Sequence, residues 1–307
     1  MFIDILTQVC VLFILILLGV LLAKIKMLGE TTIKQMTDFV LTIVSPCVII
    51  KSFVREFDPA LTKKLLISFF ISIVVHIGYI LICHLFIHDN DKGKEKVMRF
   101  AAIFSNCGFM SIPLLEAILG DDGVFYGTSY LAIFYVIVWS YGVFLMSGKR
   151  EDLSLKKIVI NPGIIGIVLG LSIFFLNIPI HKAPIISEPI IFLAGLNTPL
   201  PMIIIGYHLA NSKLLSAIKS FKSIFSMGLK LIIFPLLTLI GMYLCGIRGE
   251  VLVAITISAS APTAAITTMF SSKYGADTTL SVSMVSLSTI ISILSMPFII
   301  TLAQSIA

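Results

Sequence analysis

The sequence predicts an all-α integral membrane fold of ten transmembrane helices, arranged as two inverted five-helix repeats with helices 4 and 9 broken. Three observations predict it: 58% of the residues are apolar and 12% charged, apolar stretches of membrane length recur along the chain, and helix-breaking residues recur at matched places in its two halves. A mean hydropathy of +1.09 lies far outside the mix of soluble domains. Lipid is therefore the solvent for most of the chain.

Crossing a hydrocarbon core of about 30 Å takes about 20 apolar residues in a helix. Such stretches run over Ile5–Ala23, Met36–Phe53, Leu65–Ile87, Val97–Leu119, Val124–Met146, Ile158–Ile178, Pro189–Ala210, Ile224–Cys245, Val251–Phe270 and Thr278–Ala303. The first carries Asp4 where a signal peptide has a basic segment, and it runs towards the second without a cleavage site, so it reads as retained. Cys10, Cys47, Cys83, Cys107 and Cys245 are scattered singly, which points away from a disulfide framework, a metal site or a cofactor.

The formal charge of +6 does not mark a nucleic-acid surface, because the basic residues sit in short loops between spans rather than on one face. One set of alternate loops holds 15 of the 22 Lys and Arg, the other holds six, and Lys230 lies inside a span. Short loops rich in Lys and Arg stay cytoplasmic, so both termini are expected outside a plasma membrane. Lys230 stands near the start of its predicted span, where a lysine snorkels to the headgroups.

The cytoplasmic run 149–157 divides the chain into residues 1–148 and 158–307, each with five spans. An odd number of spans forces the second half into the membrane in the opposite sense. Gly19 matches Gly170 at an offset of 151, Ser45-Pro46 matches Thr198-Pro199 at 153, and Gly120 matches Gly275 at 155. The common order makes these an inverted repeat.

The fourth span contains Ser105-Asn106-Cys107-Gly108-Phe109-Met110-Ser111-Ile112-Pro113, and the ninth Ser258-Ala259-Ser260-Ala261-Pro262-Thr263. Proline removes a donor and clashes with the preceding turn, so both helices are expected to break. A proline kink alone would explain either break, but a matched pair at the depth of Asn106 implies an internal polar cavity, since freed backbone groups must be satisfied there. Under the offset of 155, Asn106 falls opposite Ala261. Half-helix N-termini present N–H groups and partial positive charge, and a carboxylate is the natural ligand. The residues expected to hold it are Ser105, Asn106, Ser111, Pro113, Ser260, Pro262 and Thr263. Pro46, Asn197 and Pro199 form a second proline pair in spans 2 and 7, read as scaffold kinks.

Four stretches resemble the auxin efflux carrier family, which includes plant auxin carriers and bacterial malate and malonate permeases: Asp38-Phe39-Val40-Leu41 to Pro46, Ser105-Asn106 to Ile112-Pro113-Leu114-Leu115, Asn161-Pro162-Gly163, and Pro262-Thr263 to Phe270-Ser271-Ser272-Lys273-Tyr274. The resemblance implies a scaffold of spans 1, 2, 6 and 7 and a moving transport domain of spans 3–5 and 8–10. It also implies a homodimer formed through the scaffold and a carboxylate bound where helices 4 and 9 cross. Asn106, Pro113 and Pro262 match the family's motif positions. Thr267 stands where the plant motif has a second proline, and Glu116 where it has a basic residue, which favours a small organic acid over the plant substrate.

Glu116 is a candidate for proton coupling, because ionisable groups inside spans are functional by default; the competing reading places it at the outer interface. His76, His84 and His208 each stand alone and read as packing residues. Coupling to H+ or Na+ stays open. A ligand-gated pore or membrane sensor using the same cavity is the alternative to a carrier. An enzyme is not expected, since no nucleophile–base pair or HExxH motif is present.

Overall fold

The computed structural model describes residues 2–154, 156, 159–212, 214–218 and 220–307. Ile158, the predicted start of the sixth span, and Lys157, the end of the predicted linker, lie outside the described residues, as do the loop residues Lys213 and Lys219.

The longer helices are α1 (Phe2–Lys24), α2 (Glu30–Phe53), α3 (Pro59–Phe86), α4 (Lys92–Ile103), α5 (Cys107–Ser147), α6 (Pro162–Phe175), α7 (Pro184–Ala210), α8 (Phe221–Leu244), α9 (Gly249–Ser260), α10 (Ile266–Lys273) and α11 (Thr278–Ile306). There is no strand among the described residues. Seven of them, α1, α2, α3, α5, α7, α8 and α11, are long and apolar enough to cross a membrane, and α6 and α9 are shorter apolar helices. The ten predicted stretches map onto these with two differences. Predicted span 4 is divided between α4 and the start of α5, and α5 continues into span 5 after a corner at Gly120 (φ 65°, ψ −153°). The sixth is shorter than predicted. Its start is fixed by Asn161, whose side chain accepts from the N–H groups of Gly163 and Ile164, with Pro162 in the first turn.

Aspartates cap three other helices. Asp58, Asp91 and Asp277 accept backbone N–H groups at the starts of α3, α4 and α11. These caps satisfy donors that have no partner inside the helix.

Prolines shape the spans from within. Widened π-helical turns at Val40–Val44, Cys107–Ser111 and Leu229–Ile233 each end two residues before a proline: Pro46, Pro113 and Pro235. Proline offers no N–H to the carbonyl four residues back and pushes it away, and a wider turn relieves that clash. In α7 the helix is interrupted by a turn at 196–198, just before Pro199.

The face that each span buries shows what surrounds it. On α3, Ser68, Ser72, His76, Tyr79 and Cys83 point inward, while Leu66, Phe70, Ile77, Leu81 and Leu85 are exposed. Helical spacing thus puts the polar stripe inside and the apolar stripe outside, the arrangement suited to a hydrocarbon solvent.

Two sets of contacts dominate the packing, joined where α1 lies against α11. In one, α1 lies against the Pro199–Ala210 half of α7, and α6 lies against the Ser45–Phe53 half of α2. In the other, α9 packs on α5, α8 and α11, and α3 packs on α5. Aromatic rings fill the second group: Phe100 lies 4.4 Å from Phe104 and 5.4 Å from Phe270, with Phe134 5.8 Å from Phe104.

Candidate functional site

The helical path stops at Ile103 and resumes at Cys107 in one arm, and stops at Ser260 and resumes at Ile266 in the other. The two gaps meet. Ser105 pairs with Thr263 in an isolated antiparallel bridge, the Asn106 N–H donates to the Pro262 carbonyl at 2.7 Å, and the Ala264 N–H donates to the Phe104 carbonyl at 2.9 Å. Extended backbone at membrane depth must find partners in protein, and here each broken helix satisfies the other.

The predicted register is corrected by one residue. Asn106 faces Pro262 rather than Ala261: its N–H donates to the Pro262 carbonyl, beside the antiparallel pair of Ser105 and Thr263. Gly120 and Gly275, at an offset of 155, adopt the same left-handed φ of 65° and 68°. Between crossing and corner, the first arm therefore spends one more residue than the second. The π-helical turn Cys107–Ser111, which takes in an extra residue, accounts for the difference.

Side chains around the crossing are mostly engaged with the protein itself. The Thr263 hydroxyl donates to the Ala101 carbonyl at 3.0 Å, and the Thr263 N–H donates to Ser288 Oγ at 3.2 Å. Ser105 donates to the Tyr130 hydroxyl at 3.2 Å, and Ser260 to the Ile257 carbonyl at 2.9 Å. Ser111 approaches the same Ile257 carbonyl at 3.5 Å, too long to hold it strongly. Pro113 and Pro262 are buried at the two breaks. Asn106 is 6% exposed, and among the described residues its side-chain amide makes no hydrogen bond to protein. It is the polar group in this cluster free to receive a ligand.

The scaffold-side residues lie apart from the bridge. Pro46 packs where α6 comes so close that a Cβ on Gly166 would meet its Cα at 2.9 Å. Asn197 is buried in the α7 interruption, with Oδ1 unpartnered. The following half of α7, beginning at Pro199, packs against Cys107–Ser111. That contact brings the α7 break toward the fourth-span arm.

Glu116 stands at the exposed end of its arm, where it accepts from Lys51 of α2 at 2.6 Å; Lys51 also lies 3.5 Å from Asp121, and Arg55 pairs with Asp122. A cleft opens there between Val48, Lys51, Ser52, Glu116 and Asp121. Glu116 thus ties α5 to α2 rather than reaching the crossing. Because both partners are partly exposed, a double-mutant cycle of Lys51→Met and Glu116→Gln is expected to give a coupling of about 0.2–1 kcal/mol in thermal unfolding. A coupling several times larger would mark a buried, structural pair.

In the loop between α3 and α4, the Asp89 carboxylate is held below its ordinary range by the Asp91 N–H, with Lys222 at 3.2 Å adding to the effect. The tie to α8 is therefore fully present above the usual carboxylate range and is lost as pH falls through the depressed value.

Lys230 corrects a second expectation. It does not snorkel: the residue is fully buried, and its Nζ donates to the Ala259 carbonyl at 3.1 Å, one residue before the end of α9. The reason is depth. Helix α8 begins at Phe221, nine residues earlier, which at about 1.5 Å per residue leaves the side chain too short to reach the headgroups. Its place five residues before Pro235, inside a widened turn, was the sequence signal for a special environment.

His76 is also fully buried; its Nδ1 sits 2.7 Å from the Ser72 carbonyl, its ring lies 4.5 Å from Tyr130, and Nε2 has no partner.

The chain is similar to an uncharacterized transporter of Methanothermobacter thermautotrophicus, with 27% identity over 292 residues that span 92% of this chain and 93% of the relative. Residues 4–300 match the family described as membrane transport protein, the family of the auxin efflux carriers. That match covers nearly the whole chain, and the chain belongs to the membrane transport protein family.

Proposed function

We propose that the chain is a carrier of a small organic anion, a carboxylate such as malate, malonate or an auxin-like acid, that works by elevator-type alternating access. The observation that carries this reading is the crossing: two broken helices bonded to each other through their backbones, with an unengaged Asn106 amide beside the start of a half-helix. Helix N-termini favour anions, and an amide N–H completes a carboxylate's coordination.

Other features support the finer parts. The matched left-handed corners at Gly120 and Gly275 favour two inverted five-helix repeats forming ten spans. The two packing groups favour a scaffold of α1, α2, α6 and α7 against a transport domain of α3–α5 and α8–α11, with a homodimer formed through the scaffold in a plasma membrane. The 15-to-6 loop charge bias supports termini on the outer side.

Uptake of labelled malate, malonate and indole acetate into proteoliposomes tests the reading. A carrier gives rates that saturate with concentration and no unitary currents in planar bilayers. Unsaturable flux with single-channel openings would instead identify a pore, and binding without flux a sensor.

A further inference from the structure

Glu95, Arg99 and Lys230 are the charged residues buried among the described residues, and Glu95 pairs with Arg99 at 3.0 Å. Lys230 is left without an acid. The elements packed against its turn are α4, α9, α11 and the flanking parts of α8. Of the acids on them, Glu95 is also bound to Lys92, and Glu250 at the far end of α9 lies 3.6 Å from Lys64. The cations on α4 and α8 are Lys92, Lys94, Lys96, Arg99 and Lys222, and Lys222 is held by Asp89. Helix α11 carries no titratable side chain, and α8 contributes only Tyr243 besides its lysines. The titratable groups within electrostatic reach of Lys230 are His76, Cys83 and Cys107, none of them a carboxylate.

A lysine ammonium has three donors, and among the described residues a single acceptor meets it, the Ala259 carbonyl. That carbonyl belongs to the last turn of α9, whose C-terminal end carries partial negative charge, so the site suits a cation yet meets only part of its demand. Three residues further along the chain, the Pro262 carbonyl accepts from Asn106. The ammonium and the crossing are therefore two sides of one short segment, and a buried charge without a counter-charge is strongly disfavoured in a dry site.

We propose that Lys230 is the proton site of the transport cycle: a proton on Nζ and the substrate carboxylate at the crossing bind together, each supplying the other's counter-charge. The assignment rests on the anion-carrier reading above. By linkage, whatever the carboxylate does to the proton, the proton does to the carboxylate. Once Lys230 has lost its proton in the empty protein, each carboxylate that binds draws one proton from solvent.

Titration calorimetry of the full chain in detergent, with malonate, malate and indole acetate as probes, reads this directly when repeated across alkaline pH in two buffers of different ionisation enthalpy. The acids themselves are fully ionised there. The expected result is about one proton taken up per acid bound, with the dissociation constant rising about ten-fold per pH unit. Lys230→Gln keeps a donor for the Ala259 carbonyl but holds no proton, and should bind more weakly with no dependence on pH. Binding by the native protein without proton uptake overturns the proposal, and so does a Gln variant that keeps the native pH profile. Should the variant not fold, the native proton count decides. If no acid binds the native protein at any pH, the anion-carrier reading itself falls, an outcome distinct from the other two.

Discussion

Gly206→Val is expected to destabilise the protein strongly, by about 3 kcal/mol or more. Helices α1 and α7 touch backbone to backbone at Gly19 and Gly206: a Cβ on Gly206 would overlap the Ile16 carbonyl oxygen and meet the Gly19 Cα at 2.8 Å, and one on Gly19 would meet the Ile203 Cα at 2.9 Å. Because main-chain atoms cannot swing aside as a side chain can, the helices would have to separate. Separation would loosen the packing of α1, where Val9, Leu12 and Ile16 are buried, on the half of α7 where Met202 and Ile205 are buried. In lipid there is no hydrophobic drive to bring such helices together, so close packing is most of what holds them. Overpacking ordinarily costs about 1–3 kcal/mol, and the backbone-to-backbone contact places this site at or beyond the upper end of that range. Size-exclusion profiles and thermal unfolding in detergent would read the loss. Gly241→Ala, at a glycine with nothing within 4 Å, is the control and should behave as native. A Gly206→Val protein that elutes and melts like the native chain would show that α1 and α7 tolerate separation.

The architecture was legible because lipid imposes simple demands. Span length and the prolines at 46, 113 and 262 depend on local residues, and the helices follow them closely. That the two breaks correspond was also legible, through the repeat, and the family resemblance implied that they meet. Register missed by one residue, because the offset taken at Gly120 and Gly275 slides by one before the crossing, and a π turn leaves no mark in composition. Side-chain engagement was equally hidden. Ser105, Ser260 and Thr263 look like ligand groups in the sequence, yet each hydroxyl is spent on the protein: Tyr130, Ile257 and Ala101 receive them. Lys230 was misread because snorkelling was judged from an approximate span boundary, and depth in a helix is a matter of a few residues.

That difference in engagement separates two variants at the crossing. Thr263→Val keeps the side-chain shape but removes the donor to the buried Ala101 carbonyl, and should cost about 1–3 kcal/mol of stability. Any fall in its uptake should therefore come with a lower melting temperature. Asn106→Ala removes an amide that no described protein group uses, so its melting should stay within about 1 kcal/mol of native. Its uptake should suffer far more. A hydrogen bond to a charged group is worth about 1.5–3 kcal/mol, so the half-saturating concentration of malonate or malate should rise about ten- to a hundred-fold. Measuring melting and uptake on the same preparations keeps the two effects apart. If Asn106→Ala loses uptake only in proportion to lost stability, Asn106 is a packing residue, and the carboxylate must be held by the backbone of the crossing alone.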